Sequence, residues 1–363
     1  MANYFRQPSF MLSTIIILCC QVTATNARSH KQFQHFFPAW DPLLRDQLAN
    51  NCSDALSAYL DPSDPVVRPG YMVIDCILNN MPEFRKAELA AAAVILGLAP
   101  SVLQLLSASY LDTAILAYRR PVLASLLSMA SSGVRPLTAT DYDDMITTMG
   151  TDPFHTNFGK PRSVWAPSLV SLMEYIIALG AVANNAHLTY QLCIFAVCTF
   201  APAQDFLPAI WAASAVLIHL VGYLAARLRV AVEGKGREED YQGKLGHAFR
   251  TELTPTPWQR RLNLKANKRH TGQFLVLVSI LYVGDALQAL FGTLILSSLV
   301  FISVRDSAII VIRLMGSALF ARLVLIYELA GFRTDKESYG PSEKPLYSGV
   351  PEQNERFDGS RTL

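Results

Sequence analysis

Five apolar segments, each of about 20 residues, most constrain what this 363-residue chain can fold into. A helix rises about 1.5 Å per residue, so about 20 residues cross the hydrocarbon core of a bilayer, which is about 30 Å thick. Within lipid a helix also satisfies its own backbone hydrogen bonds. We therefore predict an all-α, polytopic membrane helix bundle with about five spans. The candidate spans are residues 87–107, 164–183, 206–226, 274–290 and 306–329.

The composition agrees with lipid as part of the solvent. Charged residues make up 17% of the chain and hydrophobic residues 51%, whereas soluble proteins usually carry about 25% charged residues. The net charge of +2 is too small to indicate a nucleic-acid-binding protein. Membrane lipid is the partner that this composition predicts, and the sequence identifies no protein partner.

The N-terminus has the pattern of a signal peptide. Arg6 precedes an apolar run from Phe10 to Val22, and small residues at Val22 and Ala24 suit a signal peptidase site. The run is too short to span a bilayer, so we predict a cleaved signal peptide over residues 1–24, with an uncleaved signal anchor as the alternative. This predicts the secretory pathway and a lumenal or extracellular N-terminus.

Residues 25–86 read as a small lumenal or extracellular domain whose apolar content is low. Cys52 and Cys76 are its only cysteines, and an oxidising compartment favours a disulfide between them, with two free thiols as the alternative. Closing a loop of this length stabilises a fold by about 3 kcal/mol in the chain-entropy model. Asn51 begins the sequon Asn-Cys-Ser and is predicted to be glycosylated.

The transmembrane helical domain is predicted over residues 87–330, and its loop charges predict a topology. Residues 227–270 contain eleven Lys and Arg against five acidic residues, which predicts a cytosolic basic loop by the positive-inside rule. Two apolar connectors, residues 187–202 and 291–304, are short for a span and are predicted to be re-entrant or interfacial. Five crossings then place a disordered tail, residues 331–363, in the cytosol.

Polar side chains inside the spans are the best candidates for a functional site, because a charge in the bilayer is costly unless it has a partner. Interhelical packing pairs, a proton or solute pathway, and an active site are the three alternatives. On a helix, Arg313 and Arg322 lie on opposite faces and are not expected to bind one group. The candidate intramembrane polar site consists of Glu174, Asp285, Arg313 and Arg322, with His219 as a further ionisable residue.

Catalytic, metal-binding and nucleotide-binding motifs such as HExxH, GxSxG, CxxC and GxGxxG do not occur in the sequence. No cofactor, no metal and no catalytic residue is therefore predicted; a non-enzymatic protein is favoured, and a membrane-embedded enzyme is kept as the third hypothesis. A non-enzymatic scaffold or accessory protein is the first hypothesis. A transporter or channel that uses the intramembrane polar residues is the alternative.

Several short stretches together resemble a group of multi-pass membrane proteins of filamentous fungi that have no assigned activity. The resemblance implies a fungal origin and a similar topology, and it supplies no catalytic residues. Some genes of that group lie beside secondary-metabolite clusters, which implies an accessory role in metabolite production or export. The stretches are Leu96–Pro100, Arg119–Pro121, Leu253–Pro255, Phe291–Ser298 and Arg322–Gly331.

Overall fold

The computed structural model describes most of the chain between Gln32 and Ala330. The described ranges are residues 32–60, 69–137, 165–202, 204–233, 251–258, 263–266 and 271–330. The predicted signal peptide, residues 1–24, and the predicted tail, residues 331–363, lie outside the described residues.

Three short helices build the N-terminal domain: α1 (Asp41–Asn50), α2 (Ser53–Leu60) and α3 (Pro69–Asn79). The predicted disulfide between Cys52 and Cys76 is confirmed, and it joins the start of α2 to α3. Asn51 is exposed beside it, and its glycosylation stays a prediction.

Five long helices are long and apolar enough to cross a membrane, as predicted, and they fit a multi-pass membrane protein. Their observed bounds exceed the predicted spans at most ends. They are α4 (Glu83–Leu106), α7 (Ala166–Phe195), α8 (Leu207–Arg229), α9 (Thr271–Ser297) and α10 (Val304–Ala330).

The two apolar connectors differ in detail from the prediction. The first parts of residues 187–202 and 291–304 continue α7 and α9, because an unbroken helix satisfies its own backbone in an apolar setting. Where these helices end, β1 (Val197–Cys198) pairs antiparallel with β4 (Leu299–Val300). The connectors therefore form no helices of their own, and their re-entrant or interfacial position stays a prediction.

The N-terminal domain packs on this strand pair, at what we call the domain end of the bundle. Phe33 and Phe36 make edge contacts with Phe301. The same core cluster contains Trp40 and the paired strand residues Val197 and Val300. The backbone N–H of Ala39 donates to Asp306 Oδ2 at 3.2 Å, at the start of α10. At the opposite, loop end, β2 (Val230–Glu233) follows α8 and pairs with β3 (Asn263–Ala266).

A helical hairpin that the sequence analysis did not predict lies inside the bundle between α4 and α7. It consists of α5 (Tyr110–Ala117) and α6 (Pro121–Met129), and nearly every residue of both helices is buried against α7, α8 and α10. We refer to residues 107–135 as the buried hairpin. Its two helices have eight and nine residues, less than half of the about 20 that a span needs, so hydropathy indicates no span there.

The base of the buried hairpin lies near the middle of the long helices. The hydroxyls of Ser107 and Ser131 are 2.6 Å apart, and Asn185 Nδ2 donates to Met129 O at 3.1 Å. Gln288 Nε2 donates to the carbonyl of Ser132. Because Asn185 and Gln288 belong to the central parts of α7 and α9, non-helical backbone occurs at mid-height and is hydrogen-bonded there by side chains, as burial in an apolar setting requires.

Gly222 of α8 allows the hairpin to approach, and Gly222→Ala is expected to destabilise the bundle. A Cβ atom there would lie 2.6 Å from Tyr110 Cβ and 2.8 Å from Tyr110 Cδ2, at the start of α5. Overpacking of this kind costs about 1–3 kcal/mol of unfolding free energy. Thermal unfolding in detergent measures the effect.

Gly316→Ala in α10 is the matched control for that change, because a Cβ at Gly316 would meet nothing within 4 Å. Replacing a mid-helix glycine by alanine without a clash stabilises a helix by about 0.5–1 kcal/mol. Equal melting temperatures for the two variants would contradict the close approach of α5 and α8.

Candidate functional site

The tip of the buried hairpin carries two consecutive arginines between α5 and α6. Pro121 starts α6, where its missing N–H has no helical acceptor to lose. This sharp connection turns the side chain of Arg120 into the bundle, where it is 0% exposed. The tip therefore brings a guanidinium into the interior at the loop end.

Arg120 bridges two of the long helices. Its Nη1 atom donates to Glu174 Oε2 on α7 and, at 2.7 Å, to Glu328 Oε1 on α10. Its Nη2 atom donates to Ser171 Oγ at 2.7 Å. One guanidinium is thus shared by two buried carboxyl groups, and removal of Arg120 would leave both of them without their cation in an apolar setting.

Residues 251–258, from the middle of the predicted basic loop, close over this tip. Glu252 accepts hydrogen bonds from the backbone N–H groups of Val122 and Leu123, both at 3.0 Å, and from the hydroxyl of Tyr175 at 2.7 Å. Its carboxylate therefore caps the N-terminus of α6, where free N–H groups and the helix dipole favour a negative charge. Burial raises the pKa of the Glu252 carboxyl above its ordinary value, and these hydrogen bonds oppose that rise.

Thr256, in the short 3₁₀ turn Thr256–Trp258, attaches the same segment to α10. Its hydroxyl donates to Glu328 Oε2 at 2.6 Å. Its carbonyl accepts from Arg119 Nη1 at 3.5 Å, and burial lowers the pKa of Arg119 to about 10, so that the group stays charged at neutral pH. We call Arg119, Arg120, Glu174, Glu252 and Glu328 the charge cluster.

The charge cluster is built to hold elements together. Its two cations and three carboxylates come from the hairpin tip, from residues 251–258 and from two long helices, and their hydrogen bonds run between those elements. Carboxylates on a shared arginine are not placed as a nucleophile with its base. In the described part of the chain, no group of three or more His, Cys, Asp or Glu residues is placed to hold a metal ion.

The other residues of the predicted polar site lie elsewhere. Arg322 Nη1 donates to the carbonyls of Leu105 and Leu106, at 2.9 Å and 3.4 Å, and so covers the C-terminus of α4. A cation is favoured at this end of a helix. Arg313 instead donates to side chains of α7, which agrees with the prediction that the two arginines face different neighbours.

Asp285 lies at mid-height on α9 and is 3% exposed. Its backbone carbonyl accepts from Gln104 Nε2 at 3.3 Å, while its Oδ1 atom has no hydrogen-bond partner among the described residues. His219 is satisfied by Thr113 of the buried hairpin, with Nδ1 and Oγ1 2.9 Å apart. Glu174 is thus the one member of the predicted set that belongs to the charge cluster.

Sequence reasoning missed four members of the cluster: Arg119, Arg120, Glu252 and Glu328. Two adjacent arginines before a proline, between two apolar runs, were a usable signal for the first pair. Three of the stretches that carry the fungal resemblance, Arg119–Pro121, Leu253–Pro255 and Arg322–Gly331, meet at or beside this cluster.

No protein-family model, curated protein or solved structure matches this chain. The resemblance to fungal membrane proteins therefore stays a prediction.

Proposed function

We propose that this chain is a non-enzymatic scaffold or accessory protein of a cellular membrane. The observation that supports the proposal is the bridging of Glu174 and Glu328 by Arg120, with residues 251–258 hydrogen-bonded to the same groups. Charges used in this way fix the relative positions of helices and loop. Fixed positions of the helices and of residues 251–258 favour a role as a rigid support for surfaces at the two ends of the bundle.

Two surfaces are available to partners under this proposal. The N-terminal domain is attached to the domain end through a packed aromatic cluster. At the loop end, residues 227–270 carry a net charge of +6, from eleven basic and five acidic residues, which attracts anionic lipid head groups or acidic protein surfaces. The positive-inside rule places this segment in the cytosol and the N-terminal domain in the lumen or outside the cell.

A transporter or channel is the second candidate, and Asp285 is the observation that favours it. A carboxyl group buried at mid-height with an unpaired oxygen is costly, and such groups commonly mark ion or proton pathways. The broken backbone at the base of the buried hairpin lies at the same height, through Gln288. Non-helical backbone at membrane depth often borders a transport site.

Complementation of a deletion strain separates the two candidates. Metabolites inside the cells and in the medium are compared for strains that express the wild type, Asp285→Asn, Glu174→Gln, or a loop variant in which four basic residues become glutamine. Protein level is matched by immunoblot. The loop variant changes Arg260, Arg261, Lys268 and Arg269.

A scaffold predicts that Asp285→Asn restores the parental profile, whereas the loop variant does not. Transport predicts the opposite: a compound accumulates inside and disappears from the medium in the Asp285→Asn strain at normal protein level. An accessory role is contradicted if the deletion strain equals the parent in every compound. Glu174→Gln tests the charge cluster, and its metabolite profile is interpreted together with the amount of the variant protein on the immunoblot.

A further inference from the structure

Arg313 is a cation on the outer surface of the bundle that has only neutral partners. Its Nε atom donates to Asn184 Oδ1 at 2.9 Å and its Nη1 atom donates to Gln191 Oε1 at 2.8 Å, both on α7. In the part of the chain that the structure describes, no carboxylate lies within 4 Å of this guanidinium. A charge in this setting is left without a counter-ion from the protein.

The guanidinium is held in one orientation. Asn184 Nδ2 donates to the carbonyl of Arg313 at 3.1 Å and to Ser317 Oγ at 2.8 Å. The Asn184 amide oxygen is thereby directed at the guanidinium. A group fixed in this way loses little side-chain freedom when it binds a ligand.

The remaining donors point to an anion. A guanidinium carries five N–H groups, and its contacts with Asn184, Gln191 and His187 use three of them. His187 Nδ1 lies 3.1 Å from Arg313 Nη2; because arginine can only donate, this nitrogen accepts and Nε2 carries the ring proton. Two guanidinium N–H groups are therefore left for an acceptor, and the N–H of the exposed His187 ring is left for an acceptor beside them.

The surroundings of this pair are apolar and exposed. Ile309 is 45% exposed, Ile312 is 67% exposed and Tyr190 is 56% exposed, next to Arg313 and His187 on their helices. On a soluble protein such residues would face water, but on a membrane-spanning helix they face lipid. A ligand of Arg313 and His187 therefore approaches from the lipid.

Arg313 and His187 both lie in the half of the bundle nearer the domain end. Arg313 follows the start of α10 by nine residues, about 14 Å, and His187 precedes the end of α7 by eight residues, about 12 Å. Helices of about 40 Å extend about 5 Å beyond a 30 Å hydrocarbon core on each side. By this count the Cα atom of Arg313 lies less than about 10 Å inside that core, and local thinning of the bilayer around a charged side chain brings phosphate groups to such a depth.

We infer that Arg313 and His187 bind the phosphodiester group of a phospholipid in the leaflet at the domain end of the bundle. The phosphate supplies the missing negative charge and accepts the free N–H groups, while its acyl chains lie along the apolar surface beside Ile309 and Ile312. Arginine suits this role because its planar fork matches two phosphate oxygens. The inference needs only a membrane-embedded chain, so it holds for a scaffold and for a transporter alike.

The test uses the purified full-length chain in dodecyl maltoside and native mass spectrometry. Three probes are added: palmitoyl-oleoyl phosphatidylglycerol, the diacylglycerol with the same acyl chains, and inorganic phosphate. Arg313→Gln is expected to bind phosphatidylglycerol about tenfold more weakly than the wild type, the factor for losing one charge-assisted hydrogen bond. Arg305→Gln, which removes an exposed cation from the start of the same helix, is expected to bind like the wild type.

Three results would overturn the inference. One is equal binding of phosphatidylglycerol by Arg313→Gln and Arg305→Gln. The second is binding of the diacylglycerol as tight as that of phosphatidylglycerol, which would show that the chains alone bind. The third is inorganic phosphate that binds as tightly as the lipid. If Arg313→Gln elutes as an aggregate, Arg313→Lys and His187→Ala decide, and both have to bind phosphatidylglycerol more weakly than Arg305→Gln.

Discussion

Arg120→Met is expected to destabilise the bundle by about 3–5 kcal/mol, the cost of leaving the partners of a buried ion pair uncompensated. Methionine keeps most of the volume of arginine but leaves Glu174 and Glu328 without their shared cation, and both carboxylates are nearly fully buried. Thermal and urea unfolding of the purified protein in nanodiscs measures the loss.

A background that lacks the two carboxylates paired with Arg120 separates electrostatics from packing in this experiment. In the double variant Glu174→Gln with Glu328→Gln, the further change Arg120→Met is expected to cost much less, because no buried carboxylate is then left unpaired. Arg305→Met, an exposed change at the start of α10, is the matched single control. The bridging role is wrong if Arg120→Met costs the same in both backgrounds.

Replacing both Cys52 and Cys76 by serine is expected to lower the unfolding free energy of the N-terminal domain by about 3 kcal/mol, because a disulfide that closes a loop of this length restricts the unfolded chain. The two cysteines are 24 residues apart in sequence. Amide hydrogen exchange in α1 and α3 measures the change, since these helices belong to the domain that the disulfide closes.

Cys193→Ser is the control for the cysteine change, because Cys193 is a free thiol on α7. Its exchange pattern in the N-terminal domain should equal that of the wild type. A double serine variant with unchanged protection of α1 and α3 would mean that packing on Phe301 and its neighbours, and not the disulfide, holds the domain together.

The sequence alone predicted the five spans and the disulfide, and the structure confirms both. A span is a local property, since its length and apolarity are set by consecutive residues and by the thickness of the bilayer. The disulfide was predictable because the N-terminal domain contains only two cysteines, which left one pairing. Helix ends were less predictable, because α7 and α9 continue through segments that were expected to be separate connectors.

The buried hairpin shows where such local reasoning stops. Its two helices have eight and nine residues, too few to be distinguished from amphipathic loop segments by hydropathy. Their burial depends on small close-contact positions such as Gly222 and on polar side chains of α7 and α9 that satisfy the hairpin base. None of these partners is near the hairpin in sequence.

The candidate polar site divides in the same way. Hydropathy identified Glu174, Asp285, Arg313 and Arg322 as charges inside spans, because that property belongs to each segment separately. Their partners were decided by tertiary structure: Arg120 meets Glu174 across 54 residues and Glu328 across 208. Length, apolarity and cysteine number thus specify the elements of this protein. The pairing of its charges depends instead on how the helices pack. The energy of a buried charge is set by its neighbours, and only the folded bundle brings those neighbours within a few ångströms.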